Sequence, residues 1–210
     1  SVLVDPPLIL APMAGVTNRA ARLMCKRAGG CGLVTTEMFS AYAIKFRAPG
    51  TNTMIDWTDE ERPVSVQVFG GDPETVAIGA RAMQDAGADI VDINFGCPVP
   101  KVAKSGSGAS LLKDIDLARE ILIAARHAVT VPLTIKTRVG WGVGEQQVFD
   151  LAKTAEICGV DAITVHQQFH RIRVEGQVPI VHVQRTQVAP ARVHVQSAIQ
   201  LFAVVNVSFA

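Results

Sequence analysis

The sequence predicts a parallel α/β fold of the (β/α)8-barrel type. Six short apolar runs of strand length alternate with segments of helical periodicity, and several of these segments end in the same helix–Gly–x–strand turn. Hydrophobic residues make up 49% of the chain, yet it has only two Trp, one Tyr and eight Phe, which favours the aliphatic core of a parallel sheet. A complete barrel has eight such steps in about 250 residues. Six recognisable steps in 210 residues therefore predict an incomplete barrel.

The first strand is expected at residues 8–11, followed at residues 12–15 by small residues that allow close backbone approach to a ligand. Thr17 or Asn18 can cap the helix that follows, which ends at the glycines of residues 29–30. The apolar positions with helical spacing in this segment are Ala20, Leu23 and Met24.

The second strand is expected at residues 32–36 and the third at residues 64–68. Between them, residues 42–47 predict a short helix, and residues 56–61 a loop. Asp72 caps a further helix with Pro73 at its first position, a strong start signal. Its apolar face comprises Val76, Ala80 and Met83.

The fourth, fifth and sixth strands are expected at residues 90–94, 133–136 and 162–166. The amphipathic helix between the fourth and fifth strands covers residues 115–128, and another helix precedes the sixth strand. The apolar positions of these helices are Ala118, Ile121, Leu122 and Ala125 in the first, and Val148, Leu151, Ala152 and Ala155 in the second.

The sequence changes character after residue 166. Residues 1–166 form the predicted barrel part, whereas residues 167–210 contain no Lys, no Asp and a single Glu, with Val-His-Val-Gln occurring twice. No helix cap or amphipathic helix stands out there, so we interpret this segment as an atypical tail that is foreign to the barrel, frame-shifted or poorly assigned in sequence. The alternative is a native β-rich segment with strands at residues 180–183 and 201–207.

Composition and motifs exclude several classes of protein. The net charge of +1 argues neither for nor against a nucleic-acid partner. None of the four cysteines forms a C-x-x-C pair, so no zinc ribbon, thioredoxin-like motif or other metal site is expected, and a reduced cytoplasmic location fits best. The sequence has no apolar run of membrane-spanning length, and neither G-x-G-x-x-G after the first strand nor a Walker loop. Because no basic residues precede the first apolar residues, we do not expect the start of this sequence to act as a signal peptide.

Polar or chemically special residues follow the predicted strand ends. They are Pro12, Met13 and Ala14 after the first strand, Gln67 in the third, Asn94 and Cys97 at the fourth, Lys136 and Arg138 at the fifth and His166 at the sixth. Taken singly, each has an ordinary structural explanation, such as a solvated charge, a packed histidine or a tight Gly-Cys-Pro turn. In a barrel these ends converge on one mouth. Together they predict a site for a planar, anionic cofactor that forms hydrogen bonds.

Four segments resemble the tRNA-dihydrouridine synthases, most closely the bacterial B-type branch. These are residues 10–18 (LAPMAGVTN), 66–70 (VQVFG), 92–98 (DINFGCP) and 133–138 (LTIKTR), and the resemblance extends over residues 8–166. It implies a flavin-binding barrel followed by a small helical RNA-binding domain. It also implies the reduction of uridine in tRNA to 5,6-dihydrouridine, with FMN as the cofactor and NADPH as the source of electrons.

The resemblance assigns the cofactor site. Pro12, Met13 and Ala14 are expected against the isoalloxazine through backbone contacts, and Gln67 at the pyrimidine edge of the flavin. Lys136 is expected near flavin N1 and O2, where an ammonium favours the negative charge of the reduced ring. His166 is expected to help hold the cofactor.

The resemblance also assigns the substrate site. Cys97 is expected to protonate uracil C5 while flavin N5 delivers hydride to C6, and a cysteine thiol is mostly protonated at neutral pH. Asn94 and Arg138 are expected to bind the substrate, and Lys101, together with Lys104, to meet RNA phosphate. The target base must leave its stack to reach the flavin.

The sequence departs from the family pattern after His166, where a Gly-Arg-Thr-like run is replaced by QQFH. The Asn-Gly-Asp strand end, the Gly-rich loop of the phosphate site and the helical domain are not found either. Two alternatives therefore remain: another FMN barrel oxidoreductase that acts on free pyrimidines, or an inactive truncated fragment. The tRNA position modified and the oligomeric state are left open.

Overall fold

A computed structural model describes residues 2–51 and 55–166. They form one parallel sheet, in which each strand of the main path lies beside the next along the chain. The strands are β1 (Ile9–Leu10), β2 (Leu33–Thr35), β3 (Phe39–Ser40), β4 (Val64–Phe69), β5 (Ile90–Phe95), β6 (Leu133–Arg138) and β7 (Ala162–His166). The order across the sheet is β1-β2-β4-β5-β6-β7, and β3 pairs with the end of β4.

Helices connect most of the strands. They are α1 (Arg19–Arg27), α2 (Ala41–Lys45), α3 (Pro73–Asp85), α4 (Pro100–Ala103), α5 (Ile115–Ala128) and α6 (Val148–Ile157). The bounds of α5 and β7 coincide with the predicted ranges. Asn18 caps α1 by accepting the N–H of Ala21, and Asp72 caps α3 by accepting the N–H of Thr75.

The two faces of the sheet differ in polarity because successive side chains on a strand alternate between faces. On β5, Val91, Ile93 and Phe95 are fully buried in the apolar core. The predicted apolar faces of α3 and α5 belong to the same core, in which Met83 and Ile121 are fully buried. The opposite face of β5 carries Asp92 and Asn94. Polar side chains are thereby held in the interior that the curved sheet encloses.

Two details differ from the sequence-based expectation. Arg22, not the predicted apolar position Met24, lies against the body of the protein: Arg22 is 3% exposed and Met24 is 71% exposed. Within the predicted loop at residues 56–61, Glu61 is fully buried in a 3₁₀ turn. Its carboxylate lies 2.6 Å from Nε of Arg22. Both charged side chains can be buried because each neutralises the charge of the other.

The described residues thus form an incomplete α/β barrel, as predicted. The proposed tail and its two possible strands lie outside the described residues. Within the described ranges, no helix has the length and apolar character needed to cross a lipid bilayer.

Candidate active site

A cleft of about 280 Å³ opens at the carboxyl ends of the strands. Seven of the predicted site residues line it: Pro12, Ala14, Gln67, Asn94, Cys97, Lys136 and His166. Met38, Gly96, Pro98 and Val99 complete the lining. The parallel register explains this convergence, because Gln67 lies beside Asp92 on the next strand, and Asn94 beside Lys136.

A chain of hydrogen bonds runs through the floor of the cleft. The Thr134 hydroxyl donates to Oδ1 of Asp92 over 2.6 Å, and Nε2 of Gln67 donates to Oδ2 of Asp92 over 2.6 Å. Nδ2 of Asn94 then donates to Oε1 of Gln67 over 2.8 Å. Gln67 and Asn94 are only 1% and 8% exposed, so both amides are buried away from bulk water. The hydrogen bonds within the chain therefore set the orientation of both amides.

The turn that carries Cys97 is held by the other end of Asn94. Oδ1 of Asn94 accepts the backbone N–H of Gly96 over 3.1 Å and that of Cys97 over 2.9 Å. The carbonyl of Cys97 accepts the N–H of Ala109 over 3.0 Å. A Cβ added at Gly108 would lie 2.7 Å from that carbonyl oxygen, and Gly108 has a φ of +63°, so glycine is needed there. The half-buried thiol is therefore positioned by backbone contacts on both sides.

Opposite charges share the interior of the barrel. Burial raises the pKa of Asp92, against the hydrogen bonds from Gln67 and Thr134 and the charge of Lys136. Burial likewise lowers the pKa of Lys136, against the attraction of Asp92 and Cys97. The pKa of His166 is lowered, first by burial and then by Lys136 and Arg138. The cleft thus combines a half-buried lysine, the buried Asp92 beneath it and a histidine held towards its neutral form.

The loop at residues 12–15 forms one wall of the cleft, and its shape is fixed from behind. The carbonyl of Met13 accepts the N–H groups of Val16 and Thr17, both over 3.0 Å. The Thr17 hydroxyl accepts the N–H of Met13 over 3.1 Å, and Arg22 donates to the Thr17 carbonyl over 2.8 Å. The side chain of Glu37 accepts the N–H of Gly15. The buried Thr17 and Arg22, together with the half-buried Glu37, thus support this loop from behind.

Three predicted site residues do not line the cleft. Met13 lies between two lining residues, with its backbone engaged in the turn just described. Arg138 is half-buried and pairs in register with His166 on β7. Lys101 is exposed on α4, a helix of only four residues that begins just beyond the Cys97 turn.

Asp92, Thr134 and Met38 are contributors that sequence reasoning missed. Asp92 precedes Asn94 by two residues and Thr134 precedes Lys136 by two, so the alternation of strand faces places each below a predicted site residue. The signal for Asp92 was a charged residue within a strand whose alternate positions, Val91, Ile93 and Phe95, are apolar. Met38 contacts Asn94, its Sδ lying 3.6 Å from Nδ2, and it has no comparable sequence signal. Across the described part of the chain, no group of three or more His, Cys, Asp or Glu residues could hold a metal ion.

Comparison with known proteins gives a consistent result. The model of the family described as "Dihydrouridine synthase (Dus)" matches residues 9–192. A protein of Proteus vulgaris named tRNA-dihydrouridine synthase B is 41% identical over 170 residues, which cover 81% of this chain and 52% of that protein. One of the same name from Pseudomonas aeruginosa is 42% identical over 159 residues, covering 76% of this chain and 48% of that protein. The chain spans about half the length of the curated relatives it matches.

A solved structure shares the fold. A crystal structure of phosphonopyruvate hydrolase with oxalate and Mg²⁺ superposes with a TM-score of 0.52 at 17% identity, covering 73% of this chain and 56% of that one. At this identity the likeness concerns the fold alone, and it supports the barrel architecture.

The family match covers most of the chain, including every strand that lines the cleft. The chain therefore belongs to the dihydrouridine synthase family, on its B-type branch.

Proposed function

We propose that this chain supplies the catalytic barrel of a flavin-dependent enzyme that reduces uridine in tRNA to 5,6-dihydrouridine. The observation that carries the proposal is the cleft in which Gln67, Asn94, Lys136 and a fixed Cys97 lie together at the carboxyl ends of the strands. The family match and the names of the relatives support it.

The groups that line the cleft fit the ring system of FMN. A pyrimidine-like ring edge needs hydrogen-bond donors and acceptors, and the Gln67 amide keeps a second N–H and a second lone pair after its bonds to Asp92 and Asn94. Lys136 adds a half-buried cation for a ring that gains negative charge on reduction. Pro12 and Ala14 line one wall of the cleft with small side chains. FMN held by these residues would supply the transfer of hydride from NADPH to uracil C6.

The chain's own residues would hold and move the proton of this reaction. Cys97 would donate its thiol proton to uracil C5, and the resulting thiolate would be reprotonated from solvent. Lys136 would stabilise negative charge that develops beside it, because a fixed cation in a poorly hydrated cleft interacts strongly. The Asn94 amide donates to Gln67 through Nδ2 and accepts the N–H groups of Gly96 and Cys97 through Oδ1, so it supports the Cys97 turn. Its contact with uracil stays a prediction.

Arg138, His166 and Lys101 complete the proposal. His166 and Arg138 lie side by side at the ends of β7 and β6, where they could meet the cofactor and the substrate respectively. Lys101, exposed beyond the Cys97 turn, is suited to contact RNA phosphate. We place the enzyme in the cytoplasm, where tRNA is available.

Product analysis tests the proposal. The purified chain is incubated with FMN, NADPH and unmodified tRNA, and digested tRNA is analysed by mass spectrometry for nucleosides that have gained two hydrogens. We expect dihydrouridine with the wild-type chain and almost none with Cys97→Ala. Reduction of free uracil or orotate in preference to tRNA would instead identify an oxidoreductase of free pyrimidines. Bound FMN without turnover of any of these substrates would contradict the proposal.

A further inference from the structure

A buried carboxylate lies at the end of the hydrogen-bond chain in the cleft floor, and the proposed reaction makes no direct use of it. Asp92 is 5% exposed, although a valine would suit its place in a β-strand. Burying a carboxylate is costly unless its oxygens are satisfied. Here Gln67 and Thr134 satisfy one oxygen each, both over 2.6 Å.

The direction of this chain of hydrogen bonds is fixed at both ends. Asp92 offers an acceptor to Gln67, whereas the backbone N–H groups of Gly96 and Cys97 can only donate. The amides of Gln67 and Asn94 lie between these ends, and each donates towards Asp92. Rotating either amide by half a turn would set oxygen against oxygen or N–H against N–H. Protonation of Asp92 on Oδ1, towards Thr134, would leave Oδ2 an acceptor and the direction unchanged.

We propose that Asp92 is a positioning residue that fixes the direction in which Gln67 presents its amide to the cleft and, through Asn94, holds the turn that carries Cys97. This proposal deepens the proposed function. Only the measurement of FMN binding rests on that function. The hydrogen bonds themselves concern the chain alone.

Exchanging the two polar groups tests the direction of the chain of hydrogen bonds. Asn94→Asp alone places Gln67 between two carboxylates, so one carboxylate must face an amide oxygen. Adding Asp92→Asn removes this conflict if the side-chain amide of Gln67 rotates by half a turn. Nδ2 at position 92 then donates to Gln67, and Gln67 donates to the carboxylate at position 94. That carboxylate still accepts the N–H groups of Gly96 and Cys97. The double variant has the same atoms and charge as the wild type with the opposite amide direction.

Three measurements follow the two single variants and the double variant: the urea midpoint of unfolding, the rate at which iodoacetamide alkylates Cys97 (by peptide mass spectrometry) and the dissociation constant for FMN. We expect Asn94→Asp to lower the urea midpoint and accelerate alkylation in the wild-type background, and to do neither in the Asp92→Asn background. FMN should bind the double variant about tenfold more weakly than the wild type, because the reversed amide leaves polar groups mismatched. The control Asp116→Asn removes an exposed carboxylate of α5 and should change none of the three.

Each result decides the matter. An equal effect of Asn94→Asp in both backgrounds, on the urea midpoint and on alkylation, would overturn the proposal. Full recovery of FMN binding in the double variant would show that amide direction is irrelevant and would overturn it too, because a purely structural role predicts that recovery. If the wild-type chain binds no FMN, the proposed function fails, while the unfolding and alkylation measurements still decide whether Asp92 positions the amides.

Discussion

Two neighbouring glutamates provide a matched test of how the cleft wall is supported. Glu61 and Glu60 each lie 2.6 Å from the Nε of an arginine on α1, Arg22 and Arg27 respectively. The Glu61 side chain is fully buried, whereas that of Glu60 is 49% exposed. Replacing each by glutamine removes one charge and keeps the size of the side chain, so the two variants compare a buried arginine–glutamate pair with an exposed one.

The structure sets the expected magnitude. Glu61 accepts from Arg22 through Oε2 and from the backbone N–H of Thr58 through Oε1. A glutamine can accept only one of these bonds and turns an N–H towards the other donor, leaving the Arg22 charge buried without its partner. Removing one member of a buried pair costs about 3–5 kcal/mol, a large part of the roughly 5–15 kcal/mol by which a domain is stable. Glu60→Gln should cause no measurable change, because water screens that pair.

Urea unfolding followed by circular dichroism measures both variants, with the free energy taken by linear extrapolation. Because Arg22 also donates to the carbonyl of Thr17, Glu61→Gln should weaken FMN binding by loosening the loop at residues 12–15. Equal unfolding free energies for the two variants would show that the buried pair of Glu61 and Arg22 stabilises the fold no more than the exposed pair does. A stability loss at Glu61 with unchanged FMN affinity would refute the link from the buried pair to the cleft wall.

Three further predictions concern the cleft. Cys97→Ala should retain FMN but lose about 10²–10⁴-fold in turnover, the usual contribution of a general acid, and wild-type rates would exclude that role. Lys136→Met should raise the dissociation constant for FMN about tenfold or more. Lys153 is exposed on α6, so the control Lys153→Met should leave the dissociation constant unchanged. Equal FMN affinities of the two variants in flavin-fluorescence titrations would contradict this prediction. The pKa of His166 is lowered in the folded chain, so below about pH 6.5 the unfolded chain binds more protons at this residue than the folded chain does. The urea midpoint of unfolding should therefore fall as the pH drops through this window. In His166→Gln it should fall less. An identical fall in wild type and variant would show that another group is responsible.

The regular elements could be predicted from sequence because their signals are local. Helix α5 begins after a capping Asp114 and keeps its apolar spacing throughout, which fixes both ends. Strand β3 was missed because its two residues pair with the end of β4, and nothing within so short a segment indicates that pairing. The burial of Arg22 was missed for a similar reason, since its partner Glu61 lies 39 positions later in the chain.

The candidate site could be predicted in part. The residues at strand ends converge on one cleft because parallel strands end at one edge of a barrel, and seven of them line it. Asp92 and Thr134 could also have been found from the two-residue alternation of β5 and β6. The direction of the amides and the exposure of Lys101 depend on side-chain and backbone geometry, which strand patterns do not specify.

The oxidation of reduced flavin by tRNA is the most direct test of the proposed reduction of uridine with Cys97 as the proton donor. The FMN-loaded chain is reduced with NADPH in the absence of oxygen and then mixed with tRNA, and flavin absorbance follows reoxidation. We expect rapid reoxidation by unmodified tRNA, much slower reoxidation in Cys97→Ala, and none by tRNA whose target uridine is already reduced. Reoxidation at the same rate with and without tRNA, or one that does not depend on Cys97, would contradict the proposed reaction.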